Sequence, residues 1–250
     1  DLPGYQKVAD PEVVRRFEKA WGVALPRARG IKATECFPAM IEGGIKGLFL
    51  FGEDPVRTDP DTHHVIRSLE ALEFFVVDDL FITETAKYAD VILPGRSYAE
   101  KEGTFTNTER RVQRVRKAVD GPTGARLDTD IFTEVMNRMG YAQPHLSAAE
   151  VMDEIASVTP TYGGMSHARL DDDETAGRGL QWPCPSAEHP GTPILHMGEF
   201  AQGLGSFSTP DYQPSAELPD AEYPLVMMTG RILYQYNACA MTARTDGVNE

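Results

Sequence analysis

The sequence contains no apolar run of the roughly 18 to 20 residues that a membrane-spanning helix needs, so a helical span is excluded. It shows no signal-peptide pattern of basic, apolar and small-residue segments. Cysteine is scarce: Cys36, Cys184 and Cys239 lie far apart, form no Cys-x-x-Cys pair and have no histidine at ligand spacing. That argues against a zinc site or a disulfide framework and leads us to expect a reducing, cytoplasmic setting. Positive charge is in deficit, with 24 Lys and Arg against 38 Asp and Glu and a formal net charge of -14. Binding along a phosphate backbone depends on cation contacts, so a general nucleic-acid binder is not expected. Neither Gly-x-x-x-x-Gly-Lys-Ser/Thr nor Gly-x-Ser-x-Gly occurs, which removes a P-loop and an elbow-type serine nucleophile. His63 and His64 are expected in the first turn of a helix, where adjacent positions do not share a face, so they do not read as a metal pair.

What positive charge there is gathers in one place. Five cations fall in the eight residues Arg110 to Lys117, directly after Gly103, Thr104, Thr106 and Asn107. A glycine for close backbone approach, hydroxyl and amide groups, and then Arg110 and Arg111 make a candidate cradle for a pyrophosphate or nucleotide. A solvated basic strand behind a tight turn would carry the same residues.

The remaining pattern is that of an α/β protein. Asp10-Pro11 starts a helix by N-cap and proline, Val13, Val14, Phe17 and Trp21 share its face, and Gly22 ends it. Thr34 is expected to cap a second helix running to Glu42. Gly47 to Phe51, Phe74 to Val77 and Val91 to Leu93 read as continuous apolar strands. A helix opened by Asp59-Pro60, with Val65, Ile66, Leu69 and Leu72 as its stripe, lies between the first two, and a short helix capped by Thr83 lies between the last two. Such alternation predicts a parallel sheet covered on both faces. The loops Gly52-Glu53, Asp78-Asp79 and Pro94-Gly95 should then open side by side on the carboxyl edge, where open α/β sheets bind ligands.

Farther on, a helix is expected from about Asp130 to Met139 with Gly140 as its cap. Ser147 and Glu150 form a capping-box pattern for another, ended before Pro160. From there to about Asp220 the chain is rich in Gly, Pro, Asp and Ser. It reads as a long arm lying over the body of the protein, because Trp182, Leu195, Phe200 and Phe207 need burial. Tyr223 to Thr229 is a fourth strand candidate.

Asp78 and Asp79 leave a strand on opposite sides, so a shared-proton dyad between them is not expected. A single carboxylate accepting hydrogen bonds from a ligand N–H pair, such as the amidine edge of guanine, is the more natural use. A capping or helix-dipole role for either residue remains open at this point. The residues thus describe a nucleotide-cofactor platform and offer no catalytic group of their own.

Five runs carry a family resemblance: LFLFGEDP (Leu48 to Pro55), FFVVDDLFITETAKYADVILPG (Phe74 to Gly95), EKEGTFTNTERRVQRVRKAV (Glu100 to Val119), GLQWPCP (Gly179 to Pro185) and the stretch from Tyr223 to Glu250. Together they resemble the catalytic subunit of molybdenum- or tungsten-dependent formate dehydrogenases, within the dimethyl-sulfoxide-reductase superfamily. The resemblance implies a connecting segment over 1–29 and a Rossmann-like α/β domain over 30–140 that binds a pterin dinucleotide. It further implies a helix and irregular arm over 141–220 and the start of a C-terminal β-barrel domain over 221–250. The cofactor implied is bis(molybdopterin guanine dinucleotide) with Mo or W. Gly52, Glu53, Asp79, Thr83 and Gly103 match its contacts in the first domain, and Arg231, Ile232, Tyr236 and Asn237 match the pterin-contacting turn of the barrel. Asp79 is thereby favoured over Asp78.

Relatives often have histidine where this chain has Gln235, and histidine or serine around Asn237 and Ala238. The family's metal-ligating cysteine or selenocysteine and its 4Fe-4S cysteines match nothing in this sequence. The chain, which begins at Asp1 without a methionine, is therefore expected to be an internal portion of a longer polypeptide. Formate or CO2 would be the substrate, and the partners would be iron-sulfur electron-transfer subunits that are NAD-, ferredoxin- or hydrogenase-linked. Two other assignments share these motifs: a nitrate reductase-like enzyme, and a non-catalytic iron-sulfur subunit of a respiratory or hydrogenase complex.

Overall fold

A computed structural model of the chain describes every residue except Asp173, Glu174, Ala176, Glu199, Ala201, Gln202, Thr229, Tyr236, Asn249 and Glu250. The chain divides into two compact units, Asp1–Pro193 and Ile194–Glu250.

In the first unit, α1 (Pro11–Trp21) begins as its sequence dictates. The Asp10 carboxylate accepts the Glu12 and Val13 N–H groups, and Gly22 closes the helix in the left-handed conformation at φ 69°. Helix α2 (Ala33–Ile41) starts one residue before Thr34, so Thr34 lies inside it, and the Glu35 carboxylate accepts the Lys32 N–H instead. Strand β1 (Gly47–Phe51) is followed by a one-turn helix α3 (Pro55–Thr58) that the sequence pattern does not announce. Helix α4 (Thr62–Glu70) is capped by Asp61, whose Oδ1 accepts the His64 N–H, and not by Asp59. Strands β2 (Phe74–Asp79) and β3 (Val91–Pro94) each run to the strand-end residues, with a short 3-10 turn at Thr85–Tyr88 between them.

The three strands form a parallel sheet in the order β1-β2-β3, in register Leu50↔Val77↔Ile92. One face is packed. Phe75 and Val77 meet Val56, Val65, Leu69 and Ala86, with Leu48 and Leu50 beside them. The expectation of cover on both faces is corrected: on the opposite face Phe49, Phe51 and Phe74 are 37%, 49% and 52% exposed, and Phe132 is the aromatic packed on Phe49 and Phe51. Right-handed crossovers taken successively in one direction across a sheet land on the same side, which leaves the second face to the Phe132 segment and only partly covered.

A second sheet was not foreseen. Strands β4 (Gly103–Thr106) and β5 (Arg111–Val115) form an antiparallel hairpin, so the Gly/Thr stretch read as a candidate cradle is itself a strand. Helices α5 (Asp128–Arg138) and α6 (Ala148–Val158) follow. The α6 cap is as expected: Ser147 Oγ accepts the Glu150 N–H, and the Glu150 carboxylate accepts the Ser147 N–H at 2.8 Å.

The arm then divides. Helix α7 (His167–Leu170) and strand β6 (Leu180–Gln181), which pairs with β5, belong to the first unit. Met152, Met165, Leu170, Leu180 and Cys184 close around Val112, with Trp182 against them. In the second unit Leu195 is half-buried, but Phe200 is 54% exposed and Phe207 fully so, which corrects the expected burial of both. Residues 223–228 form no strand, and Thr229 lies outside the described residues. A strand needs a neighbour for its N–H and C=O groups, and no named strand occurs among the described residues of this unit. No described helix in either unit is long and apolar enough to cross a membrane.

Candidate functional site at the carboxyl edge of the parallel sheet

Because all three strands run the same way, their ends meet on one edge, as expected. Gly52 turns away from β1 at φ 63°, a left-handed conformation that suits glycine, and its N–H bonds the Asp78 carbonyl at 2.9 Å. The Gly95 N–H bonds the Asp79 carbonyl at 3.1 Å. Two backbone bonds therefore tie the Gly52-Glu53, Asp78-Asp79 and Pro94-Gly95 loops into one surface.

A buried staple, absent from the expectations, fixes that surface from beneath. Asp54, 1% exposed, takes the Thr85 N–H at 3.0 Å and the Thr85 hydroxyl at 2.7 Å on Oδ1. Thr85 Oγ in turn accepts the Val56 N–H at 3.0 Å. The first strand-end loop is thus locked to the turn that follows the second. The only signal in sequence was an aspartate before Pro55, which reads as ordinary turn chemistry.

Asp79 is half-buried at the end of β2, and its Oδ1 accepts the Phe81 N–H at 3.1 Å. Beside it Leu80, Phe81 and Ile82 are 38%, 36% and 70% exposed. An apolar shelf next to a carboxylate suits a flat heterocycle with N–H donors on its rim. Sequence reasoning passed over this shelf, although three apolar residues in a loop were its signal. Thr83 is buried, and its hydroxyl accepts the Ala86 N–H at 3.1 Å, so it shapes the loop from inside as the expected cap. Gly52 and Glu53 are exposed on the edge, and a Cβ built on Gly52 or Gly103 would meet nothing within 4 Å.

Gly103 opens β4, where its carbonyl accepts Arg114 Nη1 at 2.9 Å. The basic run behind it does not form a phosphate cradle, because its cations are already engaged. Arg110 donates to the carbonyls of Trp182, Thr192 and Pro193 and lies over the Trp182 ring. Arg111 pairs with Glu109, whose carboxyl is held below its usual range by hydrogen bonds from Arg111 and Asn107. Arg114 and Arg116 converge on Asp171, and Lys117 pairs with Asp120. Arg114 Nη1 also lies 3.4 Å from His167 Nε2; burial, then that guanidinium, keeps the imidazole below its ordinary pKa and so neutral, as an acceptor must be. Asn107 closes the hairpin by accepting the Glu109 and Arg111 N–H groups at 3.1 and 2.9 Å. The run knits the 180–193 segment onto the hairpin.

A consequence is expected for Arg110→Ala, which removes three bonds to backbone carbonyls and leaves a non-glycine residue at φ 66°. It should destabilise the first unit by about 2 kcal/mol. Hydrogen exchange should quicken selectively over residues 180–193, with the strand-end loops unchanged.

In the second unit Arg231 Nη1 bonds Asn237 Oδ1 at 2.7 Å, Asn237 holds a left-handed conformation at φ 55°, and Ile232 is 64% exposed. Tyr236 lies outside the described residues. Arg231 and Asn237 are thereby brought together across one turn.

The carboxyl edge of the parallel sheet thus joins a carboxylate, an apolar shelf and the open Gly52 in an α/β domain. Residues 16–138 match the family described as molybdopterin oxidoreductase. It is 48% identical over 99% of its length to F420-dependent formate dehydrogenase 2 subunit alpha of Methanococcus maripaludis, covering 36% of that protein. To F420-dependent formate dehydrogenase subunit alpha of Methanocaldococcus jannaschii it is 43% identical over 100% of its length, covering 36%. To the assimilatory nitrate reductase catalytic subunit of Bacillus subtilis it is 37% identical over 98% of its length, again covering 36%. The chain thus spans about a third of the length of the curated relatives it matches.

Proposed function

We propose that this chain is part of the catalytic subunit of a formate dehydrogenase or CO2 reductase, and that its carboxyl edge anchors the guanine dinucleotide tail of a bis(molybdopterin guanine dinucleotide) cofactor. The observation that carries the reading is 48% identity, over 99% of the chain, to a formate dehydrogenase alpha subunit. The edge fits the tail: Asp79 offers carboxylate oxygen to the guanine N–H groups, and Phe81 and Ile82 offer a surface for its ring. Gly52 and Gly103 leave room for backbone to approach the phosphates, and Glu53 stands at the rim. Thr83 acts through the shape of the loop. Arg231, Ile232, Tyr236 and Asn237 are proposed as pterin contacts at the start of the barrel domain.

When bound, the molybdenum or tungsten centre supplies the two-electron redox chemistry that no side chain here can perform. The residues of this chain bind and orient. Iron-sulfur clusters and electron-transfer subunits complete the proposed path from formate to the acceptor.

The test is dye-linked turnover by the purified parent enzyme, together with its metal and guanine-nucleotide content. Reduction of viologen by formate, with Mo or W and guanine nucleotide present, is the expected result. The 37% identity to an assimilatory nitrate reductase favours one second reading, a nitrate-reducing sibling with the same cofactor. Turnover with nitrate alone would replace the first reading by that one, and absence of both metal and nucleotide would remove both.

A further inference from the structure

Asp78 is fully buried, and neither of its carboxylate oxygens has a hydrogen-bond donor among the described residues. An ionised carboxylate without donors is strongly disfavoured in such a place. A second carboxylate, Asp128, reaches the same space beside Gly95. A Cβ built on Gly95 would stand 3.0 Å from Asp78 Oδ1 and 2.7 Å from Asp128 Oδ1, so the two oxygens converge on one side of that glycine. Any larger residue at position 95 would push between them. The other Asp128 oxygen, Oδ2, is ion-paired with Lys101. The charges around Asp78 are Asp128 from the first turn of α5, Lys101 from the segment before β4, and Asp79 on its own strand. Two anions outnumber one cation, and that cation is already bonded to Asp128.

We propose that Asp78 is held as the neutral carboxylic acid and donates its proton to Asp128 Oδ1, so that one proton shared between β2 and α5 fastens the helix to the strand-end edge. The balance is simple: two carboxyl groups hold one proton and one negative charge, and Lys101 offsets the charge. Asp78 is then a positioning residue, because its own carbonyl receives the Gly52 N–H and the next carbonyl receives the Gly95 N–H. The inference concerns the chain itself and does not rest on the cofactor reading.

Burial first, then Asp128, raises the Asp78 pKa to about 6, against a counteracting Lys101. The folded chain therefore holds more protons than the unfolded one between the ordinary aspartate value of about 3.9 and about 6. The stability this proton contributes is complete below the lower value and lost as pH rises through the upper one.

The experiment is thermal unfolding against pH, with infrared detection of protonated carboxyl, on the wild type, Asp78→Asn and Asp128→Asn. The wild type should show a protonated-carboxyl band at about pH 5 that fades by about pH 7, with the unfolding midpoint falling over the same interval. Asp78→Asn, which keeps a neutral donor, should lose the band and flatten the midpoint across that interval. Asp128→Asn removes the like charge and should move both changes to lower pH. A wild type without the band at pH 5, or an Asp78→Asn variant that keeps the full slope, overturns the proposal. Should Asp78→Asn fail to fold, an unmoved transition in Asp128→Asn overturns it alone.

Discussion

Asp54→Ala is expected to destabilise the first unit by about 3 kcal/mol, seen as a lower urea midpoint with an unchanged slope. The residue is 1% exposed, and its removal leaves both the Thr85 N–H and the Thr85 hydroxyl without this acceptor in a buried site. Losing two bonds to one carboxylate costs more than losing either, because the donors left behind remain buried and unpaired. Asp54→Asn separates acceptor from charge. Its Oδ1 can still receive both donors, so the cost should fall below about 1.5 kcal/mol. If alanine proves as mild as asparagine, the staple does not hold the loops. On the proposed function the consequence reaches the edge, since Asp54 follows Gly52 and Glu53 directly: alanine should lower cofactor content in the parent enzyme even at temperatures where the fold persists.

How much of this was legible in the sequence differs by element. The bounds of β1 and the convergence of three loops were readable, because a continuous apolar run between turn residues has few other uses in an alternating chain. The Ser147 cap was readable for the same local reason. What local pattern cannot show is which side a crossover takes, and so Phe49 and Phe51 were expected to be covered when they are partly exposed. Nor does it show pairing partners. The cations from Arg110 to Lys117 stand out in an acidic chain, yet Asp171 lies more than fifty residues from the two arginines it binds, and Trp182, Thr192 and Pro193 lie more than seventy from Arg110. The Asp78 environment was hidden likewise. Alternation placed it on the strand face opposite Asp79, but the carboxylate that meets it beside Gly95 comes from α5.

That separation of the two aspartates gives Asp79→Ala its meaning. On the proposed function, Asp79 offers its carboxylate to the guanine N–H groups, a charge-assisted contact of about 1.5 to 3 kcal/mol, which corresponds to roughly a tenfold to hundredfold loss of affinity. Molybdenum or tungsten and guanine nucleotide in the purified parent enzyme should therefore fall by about tenfold or more. The unfolding midpoint of the metal-free protein should move little, because Asp79 is half-exposed and the turn bond it gives up, from the Phe81 N–H, is a local one. Asp79→Asn decides whether turn shape or charge is responsible. Its Oδ1 can keep the Phe81 bond, while its amide N–H2 would face the guanine donors, so it should lose cofactor almost as severely as alanine. Asp78→Asn, by contrast, should retain cofactor, since it keeps at the buried position the neutral donor that Asp78 supplies below about pH 6. Full metal and nucleotide in Asp79→Ala would move the anchor away from this carboxylate, and equal loss in Asp78→Asn and Asp79→Asn would mean that the edge responds to any disturbance of β2 and not to a specific acceptor.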